Sequence, residues 1–195
     1  MILLSAPNIN QGIKLNQAIY CRCSLRRFSN KALNLDQISH LLWAGGGKAK
    51  FRRTIPSAGA TYPLEIYLIV GENSVKDLES GGYLYLWEKH ALELKMEGDF
   101  RERLARACLG QDFIARAPVS ILITAEYERT TSYYGKRGIR YVYMEVGHCS
   151  QNIYLEAVSL GLGTVVVGAF HDNEIKKIFE LRGEPLALMP VGYPE

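Results

Sequence analysis

The sequence predicts an α+β fold, a sheet and helices packed as a sandwich, on three observations. Apolar runs of strand length and amphipathic runs of helical length share one chain, without the strict βαβ alternation of a doubly wound fold. Two strand-like runs flank a short polar turn, the pattern of an antiparallel hairpin. No repeat, low-complexity stretch or Pro/Ser-rich linker interrupts the 195 residues, so a single domain is expected over 1–195, with 1–17 as an N-terminal extension.

The elements follow in chain order. Asn34 with Gln37 three residues later makes a capping-box pattern, and Leu35, Ile38, Leu41 and Leu42 recur at helical spacing until Gly45-Gly46-Gly47 ends the run. Residues 64–70, bounded by Pro63 and Gly71, predict a strand buried on at least one face. Residues 83–87 and 91–95 around Glu88-Lys89-His90 predict the hairpin. A helix is expected over 99–108, with Phe100, Leu104 and Ala107 on its apolar side, and a second buried strand over 119–125 behind Pro118. From about 140 to 160, Val142, Val146, Cys149, Ile153, Ala157 and Leu160 recur every three to four residues while the other faces carry little charge. That pattern predicts a helix roughly 30 Å long, buried in the core or in a subunit interface. A strand over 164–167, a turn at Gly168-Ala169-Phe170, a helix over 173–181 capped by Asp172, and a last strand over 186–191 complete the chain.

Composition excludes several classes. With 48% hydrophobic residues and a charge of 23 − 20 = +3, the chain is not intrinsically disordered, and the charge is too small to diagnose a nucleic-acid partner. No run reaches the roughly 18 apolar residues of a membrane span. Met1-Ile2-Leu3-Leu4-Ser5-Ala6-Pro7 lacks the basic start and apolar run of a secretory signal, so a cytoplasmic location is expected. Cys21, Cys23, Cys108 and Cys149 form no C-x-x-C and are expected as buried or inert thiols; with no paired spacing among the four histidines, no metal site is expected. There is no G-x-S-x-G; Leu42 stands where a P-loop requires its first glycine, and Val166 where a dinucleotide fingerprint requires its third.

Two segments carry chemistry. In Arg22-Cys23-Ser24-Leu25-Arg26-Arg27-Phe28, a helical turn would set Arg22 and Arg26 on one face, able with Ser24 to hold a phosphate through charge-assisted bonds; a solvated basic face is the alternative. In Pro56-Ser57-Ala58-Gly59-Ala60-Thr61-Tyr62-Pro63-Leu64-Glu65, small residues precede a strand. They would let a flat ligand approach the backbone closely, or simply make a tight turn. Arg22, Arg26, Arg27, Lys48, Lys50, Arg52 and Arg53 could also form a polyanion-binding surface, although no nucleic-acid motif accompanies them.

Together the two segments resemble the FMN-dependent nitroreductase superfamily, and within it the branch of the azoline dehydrogenases of thiazole and oxazole peptide biosynthesis. The resemblance rests on Arg22, Ser24, Arg26 and Phe28 and on the whole run from Pro56 to Glu65. Further matches are Gln111 before Ala117-Pro118, Gly147-His148-x-x-Gln151-Asn152, Gly161-Leu162-Gly163, Gly168-Ala169-Phe170 and Pro190-Val191-Gly192-Tyr193-Pro194. It covers about 18–195. It implies a central, mostly antiparallel sheet flanked by helices and a homodimer with the long helix at its interface. FMN would lie between the subunits: Arg22, Cys23, Ser24 and Arg26 at the phosphate, Pro56, Ser57, Ala58 and Gly59 along the ring from the second subunit, and Gly168 and Ala169 on the other side. Gln111 would bond the flavin or its ribityl chain. The implied activity is ping-pong hydride transfer from NAD(P)H to a small organic acceptor, with Tyr134 and Lys136 facing the substrate; a flavin carrier or sensor without turnover is the other use of such a site. The branch carries a Lys-Tyr pair ahead of G-x-R, and here Tyr133 stands where the lysine is expected.

Overall fold

The computed structural model describes residues 1–195. Its strands are β1 (Ile2–Leu3), β2 (Leu64–Val70), β3 (Gly81–Leu86), β4 (Ala91–Glu97), β5 (Val119–Ala125), β6 (Gly163–Thr164) and β7 (Glu184–Gly192). Its helices are α1 (Leu15–Cys21), α2 (Leu35–Gly46), α3 (Arg101–Ala107), α4 (Asp112–Arg116), α5 (Glu128–Tyr134), α6 (Arg137–Ser159) and α7 (Asp172–Phe179). The strands form one antiparallel sheet in the order β1-β4-β3-β2-β5-β7-β6.

The two-residue period of β2 divides the core. Leu64, Ile66, Leu68 and Val70 pack with Leu41 and Leu42 of α2 and with Val142, Cys149 and Ile153 of α6. Tyr67 and Ile69 pack on the opposite side with Leu104 of α3, Ile114 of α4, and Ile175 and Phe179 of α7. Both faces are therefore covered, which explains why β2 and β5 read as continuous apolar runs rather than alternating ones. Asn34 caps α2 as the pattern predicts: its side chain accepts from the Gln37 N–H, and the Gln37 side chain accepts from the Asn34 N–H.

Five expectations are revised. The long helix begins at Arg137 and is not buried all round: Val142, Glu145, Cys149, Ile153 and Ala157 face the core, while Ile139, Tyr143 and Met144 are exposed. The strand expected over 164–167 stops at Thr164; only an isolated bridge from Val167 to Leu188 continues the pairing. Asp172 lies in the first turn of α7, and the cap position is His171, whose side chain makes no capping bond. Cys108 and Cys149 are buried, but Cys21 and Cys23 are exposed. Finally, α1, α4, α5 and β1 arise where no strong periodicity marks them.

The N-terminal segment is strapped across α2 by two histidines. The Asn8 N–H donates to His40 Nε2 at 3.1 Å, so His40 carries its proton on Nδ1, which donates to Glu156 of α6 at 2.8 Å. His90 Nε2 lies 3.0 Å from the Ser5 carbonyl, an acceptor only, so this ring carries its proton on Nε2 and Nδ1 accepts from Tyr85 Oη at 2.7 Å. Ser39 Oγ donates to the same carbonyl at 2.6 Å. Burial lowers the pKa of His90 below its ordinary 6.5, with the Ser5 carbonyl opposing the shift. The unfolded chain then takes up a proton that the folded chain refuses, so this contribution is intact above pH 6.5 and is lost as pH falls through it. Equilibrium urea unfolding is expected to show stability falling from pH 7.5 to 5.5, with a flatter slope in His90→Gln.

Candidate functional site

The arginine segment is extended, not helical. The chain leaves α1 at Cys21, and Arg22 has φ −61° and ψ 124°. The Leu25 N–H donates to the Thr164 carbonyl at 2.9 Å, tying the segment to the sheet edge at β6. In extended backbone, residues two apart share a side, so the grouping of Arg22 with Ser24 comes from a period of 2 rather than 3.6. Both meet Tyr154 of α6: the Arg22 guanidinium lies over the ring at 5.1 Å, and Ser24 Oγ is 2.9 Å from the phenol oxygen. The same oxygen accepts the Val166 N–H at 2.9 Å, placing the turn at Gly168 beside this segment. Arg26 lies farther on, 5.9 Å from the Phe113 ring, and Cys23 is exposed between the two arginines. Neither arginine is in a salt bridge.

Gly168 and Ala169 are exposed, and neither N–H has an acceptor within the chain. A Cβ built on Gly168 meets nothing within 4 Å, so the space in front of it is open. Gln111 holds this turn in place, its Nε2 donating to the Ala169 carbonyl at 3.1 Å and to the Cys108 carbonyl at 2.8 Å. Its amide nitrogen thus serves the turn itself.

The Pro56–Gly59 segment lies elsewhere along the molecule. The N–H groups of Ser57, Ala58 and Gly59 are also without acceptors in the chain. Gly59 (φ 57°), Ala60 (φ 55°) and Tyr62 (φ 45°) adopt left-handed backbone, which only glycine adopts freely. The loop keeps this conformation through internal bonds. The Tyr62 N–H donates to Ser57 Oγ at 2.9 Å, and Thr61 Oγ1 donates to the Ala58 carbonyl at 3.0 Å while lying 2.8 Å from Thr130 Oγ1 of α5. Asn152 of α6 fixes the approach, its Nδ2 donating to the Ala44 and Thr54 carbonyls at 3.1 and 3.2 Å.

Against α6 the loop closes a half-open cavity of about 300 Å³, lined by Pro56, Ser57, Ala58, Tyr141, Met144, Glu145 and His148. Tyr134 stands over Gly59, its hydroxyl 2.7 Å from where a Cβ would sit, and packs edge-on against Tyr141 with ring centroids 5.1 Å apart. Lys136 does not line this cavity. It lies with Arg137 and Arg140 on an open basic surface at the start of α6. Tyr133 is 76% exposed and touches the site only through its ring contact with Tyr134.

Two charged residues underlie the loop: Glu145, which the sequence does not single out, and Arg53, which is buried here and so does not belong to the exposed polyanion-binding surface expected of it. Glu145 is 2% exposed and Arg53 8%. Burial raises the pKa of the Glu145 carboxyl, and the Ser57 hydroxyl and Arg53 pull it back down; burial likewise lowers the pKa of Arg53, with Glu145 opposing the shift. Arg53 Nε donates to the Gly46 carbonyl at 2.6 Å, and its guanidinium is sandwiched between Tyr62 (5.1 Å) and Trp87 (4.8 Å). One signal was available: Glu145 falls between Val142 and Cys149 at spacings of three and four, a carboxylate on an otherwise apolar stripe.

The site residues thus form two groups on one helix, one at Tyr154 and one at Glu145, nine positions apart and so about 13 Å along its axis. The chain as a whole resembles known proteins. The chain matches the Nitroreductase family over residues 19–193. It is 49% identical over 191 residues to MJ1384 of Methanocaldococcus jannaschii, a nitroreductase by name, with 97% of this chain and 95% of that protein covered. It is 28% identical over 146 residues to the microcin B17-processing protein McbC of Escherichia coli, covering 73% of this chain and 53% of McbC. A crystal structure from Ralstonia eutropha JMP134, also described as of a nitroreductase, superposes with a TM-score of 0.85 at 28% identity, over all of this chain and 89% of the other. The match to the family over residues 19–193, with a 49% identical relative spanning nearly the whole length, establishes that the chain belongs to the Nitroreductase family.

Proposed function

We propose that the protein is an FMN-dependent oxidoreductase that draws electrons from NAD(P)H and delivers them to a small organic acceptor, a quinone or nitro compound, in alternating half-reactions. The observation that carries this reading is the set of unbonded backbone donors, Ser57–Gly59 on one side and Gly168–Ala169 on the other, combined with two arginines free of carboxylate partners. The residues fit the cofactor. Arg22, Ser24 and Arg26 offer a phosphate charged and hydroxyl donors. The open space before Gly168 admits a ring face, and the loop N–H groups reach ring heteroatoms without competition from the chain.

A bound flavin supplies the redox chemistry itself, two-electron transfer as hydride. The chain's own residues bind and orient. Arg22 and Arg26 hold the phosphate end, Cys23 and Ser24 line it, and Gln111 keeps the Gly168 turn in position. Pro56, Ser57, Ala58 and Gly59 present a flat polar rim, while Tyr134 and Tyr141 wall off the ring from water near the acceptor. Lys136, on the exposed basic surface, meets anionic groups of the incoming donor or acceptor.

The spacing of the two groups along α6 supports a homodimer, in which the loop of one chain completes the phosphate end of the other. The exposed apolar side chains Leu15, Ile19 and Tyr20 of α1, together with Tyr143 and Met144 of α6, suit such an interface. A second reading, dehydrogenation of a heterocycle in a peptide, is favoured by the similarity to McbC and by Tyr134 beside Gly59. Tyr133 weighs against it, because it stands where that branch carries a lysine and its phenol is exposed to solvent rather than held in the cavity.

Purified protein supplied with FMN is expected to show a bound-flavin visible spectrum after dialysis and to bleach when NADH or NADPH is added anaerobically; a protein that keeps no flavin overturns the reading. Arg22→Ala should weaken flavin binding by about 1.5–3 kcal/mol, the range for a charged hydrogen bond, as titration by fluorescence quenching would show. Gly168→Val is expected to leave stability within about 0.5 kcal/mol, as an exposed substitution into open space, yet to abolish flavin uptake.

A further inference from the structure

Behind the Pro56–Gly59 loop lie two opposite charges that the binding of a phosphate or ring does not require. The Glu145 carboxylate lines the cavity with Pro56, Ala58 and Tyr141 and meets the loop at the Ser57 hydroxyl. That hydroxyl oxygen already accepts the Tyr62 N–H, so its proton is free to be donated to Glu145. Glu145 Oε1 has no hydrogen-bond partner, although it is buried. Arg53 faces the same region and is locked by the Gly46 carbonyl and by the rings of Tyr62 and Trp87. A carboxylate whose task was stability alone would have both oxygens satisfied, yet Glu145 forms no salt bridge with Arg53 or with any other cation. Because both side chains are buried, their charges act on the loop at low effective dielectric.

We propose that Glu145 and Arg53 set the reduction potential of a flavin seated against Ser57–Gly59. The inference rests on the flavin reading above and assigns roles that the reading itself does not contain. Reduction adds negative charge to the ring system, so a nearby carboxylate disfavours the reduced form and a nearby guanidinium favours it. The two residues touch neither phosphate nor reacting atoms. They act through the field at the loop, and the locked geometry of Arg53 keeps that field constant through turnover.

The test is the midpoint potential of the FMN-loaded full-length protein, equilibrated with a reference dye at pH 8, for wild type, Glu145→Gln and Arg53→Gln. Glu145→Gln is expected to raise the potential and Arg53→Gln to lower it, each by about a tenfold change in the ratio of reduced to oxidised flavin affinity, or about 30 mV for a two-electron couple. A loop merely loosened by either substitution would shift both variants in the same direction. Shifts of like sign, or none, overturn the proposal. If a single variant fails to fold, the double variant Arg53→Gln/Glu145→Gln, which restores neutrality, should lie within threefold of wild type; a tenfold shift there overturns it too. A wild type that takes up no flavin refutes the reading of the site, whereas a flavin-loaded wild type with like-signed variants refutes only the role of the pair.

Discussion

The molecule is organised around one constraint: α6 is 23 residues long and its own chain can bury only one stripe of it. That stripe, from Val142 to Ala157, closes one side of the sheet and leaves the remaining surface to other tasks. Tyr154 gathers the arginine segment and the Val166 strand end, Asn152 pins the approach to the loop, and Glu145 underlies the loop itself. Even the N-terminal strap ends on this helix, through His40 and Glu156. The spacing between the two groups of donors is therefore set by helical rise, a rigid quantity, rather than by the lengths of the intervening loops.

The legible part of the fold was the part decided by local periodicity and by capping chemistry. The α2 capping box, the β3–β4 hairpin and the buried strands β2 and β5 each announce themselves over a few residues, because neighbours in sequence settle them. The short helices α1, α4 and α5 do not. Each has only five to seven residues and is held by tertiary packing, which leaves no periodic signal. The long helix illustrates a different limit. Low charge on its outer faces implies burial in the core or in a subunit interface, and since the single chain exposes Ile139, Tyr143 and Met144, its own core accounts for one stripe only.

The site was legible as residue types and illegible as geometry. A helical turn would set Arg22 and Arg26 on one face, but the segment is extended along the β6 edge, where Arg22 and Ser24 meet Tyr154 and Arg26 lies farther on by Phe113. Gln111, expected toward the ligand, has its amide nitrogen on the Ala169 and Cys108 carbonyls, a contact that only the fold reveals. Tyr134 and Lys136, both expected to face the substrate, are set apart by a change of element: Tyr134 ends α5 over Gly59, while Lys136 lies at the N-cap of α6 on the open surface. Glu145 is ordinary in sequence, and Arg53 reads there as one more residue of a basic surface, whereas the fold buries both. Their significance comes from burial against a loop nearly ninety positions away from one of them, and burial is a property of the fold.

The left-handed residues Gly59, Ala60 and Tyr62 have a consequence for how this surface selects what it binds. Ordering a residue of backbone costs about 1–2 kcal/mol in entropy, and here that cost is met during folding, when Ser57 and Thr61 close their internal bonds. An arriving molecule finds the three N–H groups already in fixed positions and loses no affinity to ordering them. The same stiffness means the loop does not adapt to a puckered or branched shape. On the proposed reading, selection at this edge is by flatness and is made by the backbone.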